Sequence, residues 1–383
     1  MQGDFHYYAT YCAAYLAGYS HEESLEICYC AQLTDYCTRP FLNNIGGPLS
    51  AATSQLQLEM MDAQTDKAGI ADITRIWASF HFLPFDLYAH VPKAGKKYLQ
   101  KYRLICDVNG PLVSETVKLA KNRPLQAAGV AMHVLADTWA HRYFAGTPSL
   151  VINNTDFHFY ELIPKDGGYD EKKINWRHSV KSPDDLENSS YTNTLFQSKE
   201  KAIMNLGHGR AGHLPDYSFA RYKYLPAWGG YYEMLKDNPA DYFKAFTQMV
   251  YAMRYLRGDF EEFERDVYDT EKTAPYEDEI KAILEIRQLD GSKEWKALGE
   301  KLSGRKIPDF DLKIWKKEYM EASKADKQNT FLGKFIMAAL RQKTMVTAQI
   351  YNSGNKIAGH KIDFKQSGFM DDAIFKEYTE EKK

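Results

Sequence analysis

The stretch AAGVAMHVLADTWAHRYF constrains the fold most, because it places ionisable side chains at helical spacing inside an apolar segment. His133, Asp137 and His141 stand four residues apart. A helix advances about 100° per residue, so these side chains span only about 80° of its surface. Apolar residues surround them on every side, which is typical of a buried helix. Burying imidazoles and a carboxylate there is costly, and a metal ion is the natural compensation.

Length and charge limit the class of protein. With 383 residues the chain can form one large domain or two ordinary ones. Lys and Arg number 49 against 51 Asp and Glu, and this balance argues against a stable nucleic-acid partner or an anionic membrane surface. No apolar run approaches the roughly 18 residues that cross a bilayer. The first residues lack a basic region followed by an apolar one, so no secretory signal is expected.

The cysteines indicate a reducing compartment. There are five, an odd number in a long chain, which favours free thiols and a cytoplasmic location. Cys28, Cys30 and Cys37 are also possible ligands for a soft metal. On a helix, however, Cys28 and Cys30 point about 200° apart, so we interpret these cysteines as small buried hydrophobic residues.

Helical signals cover most of the chain and strand signals are sparse, so we expect an all-α fold. Ser20 with Glu23 three residues later forms a capping box at a helix start. Pro124 and Pro239 are of the kind found in a first helical turn. The predicted helices cover residues 4–18, a second segment from Ser20 to Asp35, residues 124–144 and 239–257, two helices within 274–303, and residues 329–352.

One long segment breaks the helical pattern. Residues 145–200 are rich in Asn, Asp, Gly, Ser and Lys, and a loop of this length in a compact protein is usually functional. We expect a lid over the site, with room for a short hairpin. The predicted organisation is a metal-binding helical core over 1–260 that includes this excursion, followed by a C-terminal helical extension over 261–383 that packs on the core.

Further candidate ligands interrupt apolar segments elsewhere. His6 lies early in the first helix, Asp35 ends the second, and His81 stands in ASFHFLPFD. An isolated histidine on an apolar face is usually satisfied by a hydrogen bond, which is the alternative for His6 and His81. The downstream segment GHGRAGHLPDYS adds His208, His213 and Asp216. No His-Asp dipeptide, HExxH motif or Glu-x-x-His pair occurs, so a mixed His/Asp set suited to zinc or a similar ion remains.

These residues together resemble the zinc-dependent phospholipase C superfamily, which also contains the fungal single-strand-specific nucleases. The matching segments are AMHVLADTWAHRYFAG, SFHFLPFD and CAQLTD, within roughly residues 4–220. Within that superfamily, a bacterial branch whose N-terminal residues resemble those of this chain looks nearest to it. The resemblance implies an all-helical phospholipase C/nuclease-like bundle with a cluster of two or three zinc ions, or another divalent metal.

The resemblance also implies which residues bind each ion. Asp35, His81, His133 and Asp137 correspond to the ligands of one ion, and His6 shares Asp137 as a bridging carboxylate on a second. The third implied set is His141 with Asp216 and a downstream histidine, for which His213 is preferred and His208 is the alternative. Secreted members of the superfamily also use the amine of an N-terminal Trp, and here Asp4 or water is expected in its place.

The implied activity is hydrolysis of a phosphoester, such as a phospholipid, a nucleotide or another phosphodiester, by a metal-activated water. Asp35 is the candidate general base as well as a ligand. Arg142 is a candidate to hold a substrate phosphate, with a solvent-facing arginine as the alternative. The expected partner is a small phosphorylated molecule. The competing hypothesis is a metal-stabilised binding or structural protein without turnover. The sequence leaves the oligomeric state open.

Overall fold

The computed structural model of the chain describes residues 1–156, 158–178, 183–194 and 199–359. The chain enters through a π-helical turn at Asp4–Ala9. The α-helices that follow are α1 (Thr10–Leu16), α2 (His21–Tyr36), α3 (Arg39–Ile45), α4 (Gln57–Ala63), α5 (Lys67–Phe80), α6 (Lys96–Tyr102), α7 (Pro111–Ala120), α8 (Leu125–Ala140), α9 (Leu150–Asn153), α10 (Asn238–Arg257), α11 (Thr270–Thr273), α12 (Glu277–Glu285), α13 (Ser292–Ser303), α14 (Lys316–Glu321) and α15 (Phe331–Asn352). The strands are β1 (Tyr160–Lys165), β2 (Gly168–Lys173), β3 (Asn175–Arg177), β4 (Ser190–Thr192), β5 (Arg221–Tyr224) and β6 (Met234–Asp237).

Local sequence signals explain where several helices begin. The Ser20 hydroxyl accepts a hydrogen bond from the Glu23 N–H, and the Glu23 carboxylate accepts one from the Ser20 N–H, which confirms the predicted capping box. Pro124 directly precedes α8, and Pro239 stands in the first turn of α10. Both prolines therefore mark helix starts, because a first-turn position needs no N–H donor.

Helix α8 lies at the centre of the helical part, with 14 of its 16 residues buried. Helices α2, α7, α10 and α15 pack around it. Gly129 allows α2 to come unusually close to α8, because a Cβ at this position would lie 2.4 Å from the Ile27 carbonyl oxygen and 2.5 Å from Cys30 Cβ. This close crossing brings the C-terminal end of α2 towards the polar residues of α8.

The prediction of an all-α fold is wrong. Strands β2, β1, β5 and β6 form an antiparallel sheet in that order, and β3 pairs with β4 in a parallel two-stranded sheet. Four of these strands lie within residues 145–200, where a lid with room for a short hairpin was expected, and β1 and β2 form an antiparallel pair there. Every residue of β2 is at least partly exposed, so this strand lacks the alternation of apolar and polar residues that signals a strand in a sequence.

The sheets build a second, aromatic core that joins them to the helices. Phe159, Tyr191, Tyr222 and Tyr224 are buried in it together with Phe82 and Phe144 from the helical part. This core supports the segment after β4, which crosses the end of α8 in short 3-10 turns at Gly209–Ala211 and Leu214–Asp216. The sheets therefore hold the downstream candidate ligands against α8.

The later helices pack back on the start of the chain. Helix α13 lies against the π-helical turn and α1, and Trp295 of α13 makes an edge-to-face contact with Phe5. Residues 360–383 of the predicted C-terminal extension lie outside the described residues. Within the described ranges, no helix combines the length and apolar character needed to span a bilayer.

Candidate metal centre

Helix α8 supplies the centre of a buried polar cluster. His133 and Asp137 are on its inner face, and His141 follows its last turn. The side chains of these three residues are between 0% and 6% exposed. One oxygen of the Asp137 carboxylate lies 3.2 Å from His133 Nε2 and 3.5 Å from His141 Nδ1. The three groups predicted from their spacing therefore converge.

Three other elements bring candidate ligands to the same cluster. His6, from the π-helical turn, places Nε2 3.1 Å from Asp137 Oδ1. His81, which caps the C-terminus of α5, places Nδ1 3.2 Å from Asp137 Oδ2. Asp35, near the end of α2, lies 3.9 Å from His81 Nδ1 and 4.0 Å from His133 Nε2. All three residues were candidates from the sequence, and the fold assembles them.

The third set of ligands differs from the preferred one. Asp216 Oδ1 lies 3.0 Å from His141 Nε2 and 3.6 Å from His208 Nε2. His213 Nδ1 also lies 3.1 Å from Asp216, but the His213 side chain is 57% exposed. Gly212, with a φ of +54°, turns the chain between the two histidines. The structure therefore places the alternative, His208, in the cluster and His213 at its outer edge.

The eight inward-facing side chains form three groups with the spacing of metal ligands. Within each group, one donor atom from every residue lies within 4.8 Å of the others. The groups are His6, His133 and Asp137; Asp35, His81 and His133; and His141, His208 and Asp216. Because His133 belongs to two of them, the first two positions are neighbours.

Backbone carbonyls fix the orientation of three of the imidazoles. His81 Nε2 donates to the Thr53 carbonyl at 3.0 Å, and His141 Nδ1 donates to the His81 carbonyl at 2.7 Å. His208 Nδ1 donates to the Gly212 carbonyl at 2.7 Å. A carbonyl only accepts hydrogen bonds, so one nitrogen of each ring is held by the backbone and the other faces the cluster. This outer shell is the arrangement that orients metal-bound histidines.

Burial sets the protonation states that a metal requires. Desolvation lowers the pKa of His6, His133 and His208 to about 4, so these imidazoles are neutral at pH 7. Burial alone would raise the pKa of Asp137, but His141 and the Met1 amino group hold it well below its usual range. Neutral imidazole and ionised carboxylate are the forms that bind divalent cations.

The amino group of Met1 lies inside the cluster. Its nitrogen is 2.8 Å from Asp137 Oδ1, 3.3 Å from Asp216 Oδ1 and 3.2 Å from His141 Nε2. Burial alone would lower the pKa of this amine, but the two carboxylates raise it to about 11. Asp4, expected in the place of an amine, instead accepts hydrogen bonds from the backbone N–H groups of Phe5 and Gly291. Asp4 therefore belongs to none of the three ligand groups.

Asp35 marks the side of the cluster that faces solvent. Its side chain is 31% exposed, whereas the Asp137 and Asp216 side chains are 1% and 9% exposed. Gln32 Nε2 donates a hydrogen bond to Asp35 at 3.2 Å. Desolvation raises the pKa of Asp35. This carboxylate is therefore the ligand that a molecule arriving from solvent meets first.

Arg142 belongs to a different network. Its Nε donates to Asp107 at 3.1 Å and its Nη1 donates to Asp241 at 3.2 Å. The guanidinium also lies 4.6 Å from the centre of the Tyr143 ring. These contacts engage the guanidinium with two carboxylates and one aromatic ring, so the suggested role in holding a substrate phosphate has no support in the geometry.

Some parts of the site had no signal in the sequence. The Thr53 and Gly212 carbonyls orient ligands through backbone atoms, which every residue type has. Residues 207–212 have the glycine spacing GxGxxG, but they form 3-10 turns and no helix follows directly. This segment consequently lacks the strand–turn–helix context of a dinucleotide-binding motif.

Comparison with known proteins gives a family and no activity. A family profile with the description "Family of unknown function (DUF6765)" matches residues 1–350. No curated protein matches the chain, and no solved structure does so. The matched range contains all eight ligand candidates of the three groups.

Proposed function

The chain belongs to this family, DUF6765, and we propose that it is a metal-dependent hydrolase of phosphoesters with two or three divalent ions. The observation that carries the proposal is the overlap of ligand groups: His133 is shared by two of three groups, and Asp137 contacts ligands of all three. Closely spaced cation sites suit phosphoryl chemistry, because several anionic oxygens must be neutralised together.

The donor set fits zinc best. Imidazole nitrogens and carboxylate oxygens together are typical ligands of zinc, whereas calcium and magnesium prefer oxygen alone. Five histidines contribute to the three groups, and three of these rings already have the second hydrogen bond that metal-bound histidines require. We therefore assign zinc as the resident metal, with another borderline divalent ion as the substitute.

The chain's own residues supply binding and proton transfer. A divalent ion, when bound, lowers the pKa of water and neutralises charge on phosphoryl oxygens. Asp35 is the residue placed to accept a proton from attacking water, because it faces solvent and its pKa is raised by burial. The substrate class is a small phosphorylated molecule.

The state of the cysteines supports a reducing location. All five are free and buried, and burial raises the pKa of Cys12 and Cys37 thiols, which makes them unreactive at neutral pH. We therefore retain the cytoplasm as the proposed location.

The decisive experiment measures metal content and activity on the same preparation. Protein purified without chelator or metal-affinity resin is expected to contain about two or three zinc ions per chain, since three ligand groups are present. It is then assayed on a phosphodiester and a phosphomonoester. In Asp35→Asn we expect metal to persist while activity falls by at least about 100-fold, the usual contribution of a general base.

Asp266→Asn is the matched control, because Asp266 is an exposed aspartate outside the cluster. Its activity should equal that of the unmodified chain. Zinc-loaded protein that is inert on both substrate types overturns the hydrolase proposal. A full metal complement without turnover would leave the metal-stabilised binding protein as the surviving hypothesis.

A further inference from the structure

A large basic cleft lies apart from the candidate metal centre. It has a volume of about 1230 Å³ and is bordered by α5, α6, α15 and the segment that follows α15. Eight basic and two acidic side chains line it, although the whole chain has a net charge of −2. None of the eight metal-ligand candidates contributes to its lining. The cleft is therefore a separate concentration of positive charge.

The two acidic side chains of the cleft are already engaged. Asp72 pairs with both Arg39 and Arg75, and Glu200 pairs with Lys101. These contacts balance part of the positive charge and give the cleft fixed walls. They leave no carboxylate of the lining for the remaining lysines.

Four exposed lysines of the lining have no such partner. Lys67 begins α5, Lys97 lies in α6, Lys201 follows β4, and Lys356 follows α15. Among the described residues, none of the four forms an ion pair or a side-chain hydrogen bond. They come from four separate segments, so they are not the solvated face of one helix. Their convergence keeps like charges together, which is unfavourable unless an anion enters the cleft.

A buried lysine lies beside these exposed ones. Lys343, in the middle of α15, is 3% exposed. Its ammonium donates to the Ser50 carbonyl at 2.7 Å and to the Ala52 carbonyl. In its protonated form the side chain has three donors, so one remains for a ligand. No carboxylate of the described residues pairs with it, although Lys343 is part of the cleft lining.

We propose that this cleft binds a small polyanion that carries at least two phosphoryl groups. Lysine ammonium groups bind phosphate as point charges, and charges spread over several segments match several anionic groups better than one. The volume of about 1230 Å³ is more than enough for a small ligand. Ile70, Ile76 and Ile357 add apolar wall, which leaves room for an organic part attached to the phosphates.

The test uses inorganic tripolyphosphate as the probe and isothermal titration calorimetry on the full chain. We expect saturable binding that weakens as salt is raised, and at least about ten-fold weaker binding of inorganic phosphate, because a single group reaches fewer lysines. The double variant Lys97→Gln/Lys201→Gln should weaken tripolyphosphate binding by at least about ten-fold. Its metal content should remain unchanged.

Two controls separate the cleft from the metal centre and from non-specific attraction. Lys244→Gln/Lys293→Gln removes two exposed lysines that do not line the cleft, so its affinity should match that of the unmodified chain. Asp137→Asn, checked for folding by circular dichroism, should retain tripolyphosphate binding.

Four results overturn the proposal: no binding to the unmodified chain, equal affinity for phosphate and tripolyphosphate, unchanged affinity in the cleft variant, or equal loss in both lysine pairs. If Asp137→Asn does not fold, chelator-treated protein replaces it. Loss of binding there assigns the probe to the metal centre and also overturns the proposal. Absence of hydrolase activity does not affect any of these measurements.

Discussion

Two ionic clusters flank the C-terminal end of α8, and they differ in charge balance. In the first, Arg142 and Lys236 face Asp107 and Asp241. Lys236 Nζ lies 2.5 Å from Asp241 and donates to the Trp139 carbonyl at 3.0 Å. Two basic side chains face two acidic ones, so the charges of this network are balanced.

The charges of the candidate metal centre are less evenly balanced. Asp35, Asp137 and Asp216 contribute three carboxylates, while His6 and His133 are neutral at pH 7 because burial lowers their pKa. Within the described ranges, no lysine or arginine forms an ion pair with any of the three. The Met1 amine contacts two of them, and His81 contacts Asp137, which raises the pKa of that imidazole against the effect of burial. Burial of surplus negative charge is costly. The comparison teaches that one cluster balances its own charges, whereas the other has a buried donor set that is compatible with a divalent cation.

The largest expected effect comes from removing the shared ligand. His133→Ala takes a donor from two ligand groups, so metal affinity should fall by more than the about 10- to 100-fold that loss of an outer-shell partner causes. Activity should be lost with the metal. Elemental analysis and competition with a chelator measure the change. His158→Ala is the control, since His158 lies on the surface beside Glu233; equal metal content in both variants would contradict the assignment.

Metal removal should come next in size. A ligand present at about 1000 times its dissociation constant stabilises the folded state by about 4 kcal/mol, so chelator should lower the free energy of unfolding by about that amount. Urea titrations with and without chelator provide the measurement. Identical unfolding curves would mean that the surplus carboxylates are satisfied without a metal, and the contrast between the two clusters would disappear.

Breaking the balanced network should destabilise the protein and leave the metal in place. Lys236→Met leaves Asp241 with one partner fewer in a buried site, at a cost of about 3 kcal/mol. The double variant Lys236→Met/Asp241→Leu should recover part of that loss, because a buried pair replaced by apolar residues is often tolerated. Urea titration gives the free energies, and zinc content should equal that of the unmodified chain. Zinc loss in the single variant would show that the two clusters are coupled.

The smallest effect concerns a third buried charge, Lys343. Burial lowers its pKa to about 7, so between about pH 7 and the ordinary lysine pKa of about 10.4 the unfolded chain binds more protons than the folded one. Stability conferred by this group therefore rises with pH, by at most about 1.4 kcal/mol per pH unit. Urea titrations at about pH 7 and pH 8.5 give the change in the free energy of unfolding with pH for the unmodified chain and for Lys343→Met. The difference between the two slopes is the contribution of Lys343. Parallel slopes would refute this pKa shift.

Most of the helices and most of the candidate ligands could be predicted from the sequence. Helix α8 was predictable because its three polar residues recur at helical spacing in an apolar segment. The start of α2 was predictable because Ser20 and Glu23 satisfy each other's backbone donors. Each of these signals depends only on residues that are close in the sequence, so it can be recognised without knowledge of the rest of the fold.

The failures arise where the answer is not local. His208 and His213 are indistinguishable by composition, and only the chain reversal at Gly212 decides which ring faces inward. The exposed strand β2 has no buried face to leave a pattern. The partners of Arg142, Asp107 and Asp241, could not be predicted because they are distant from it in the sequence.

Gly129 influences the geometry of the candidate metal centre from a distance. It is not a ligand, yet the absence of a side chain there lets the backbone of α2 rest almost directly on α8. A methyl group would act as a wedge between the two helices and move Asp35 outward, away from His81 and His133. A substitution at Gly129 would therefore weaken the affinity of the candidate centre for a metal, and with it any chemistry, although Gly129 is not itself a candidate ligand.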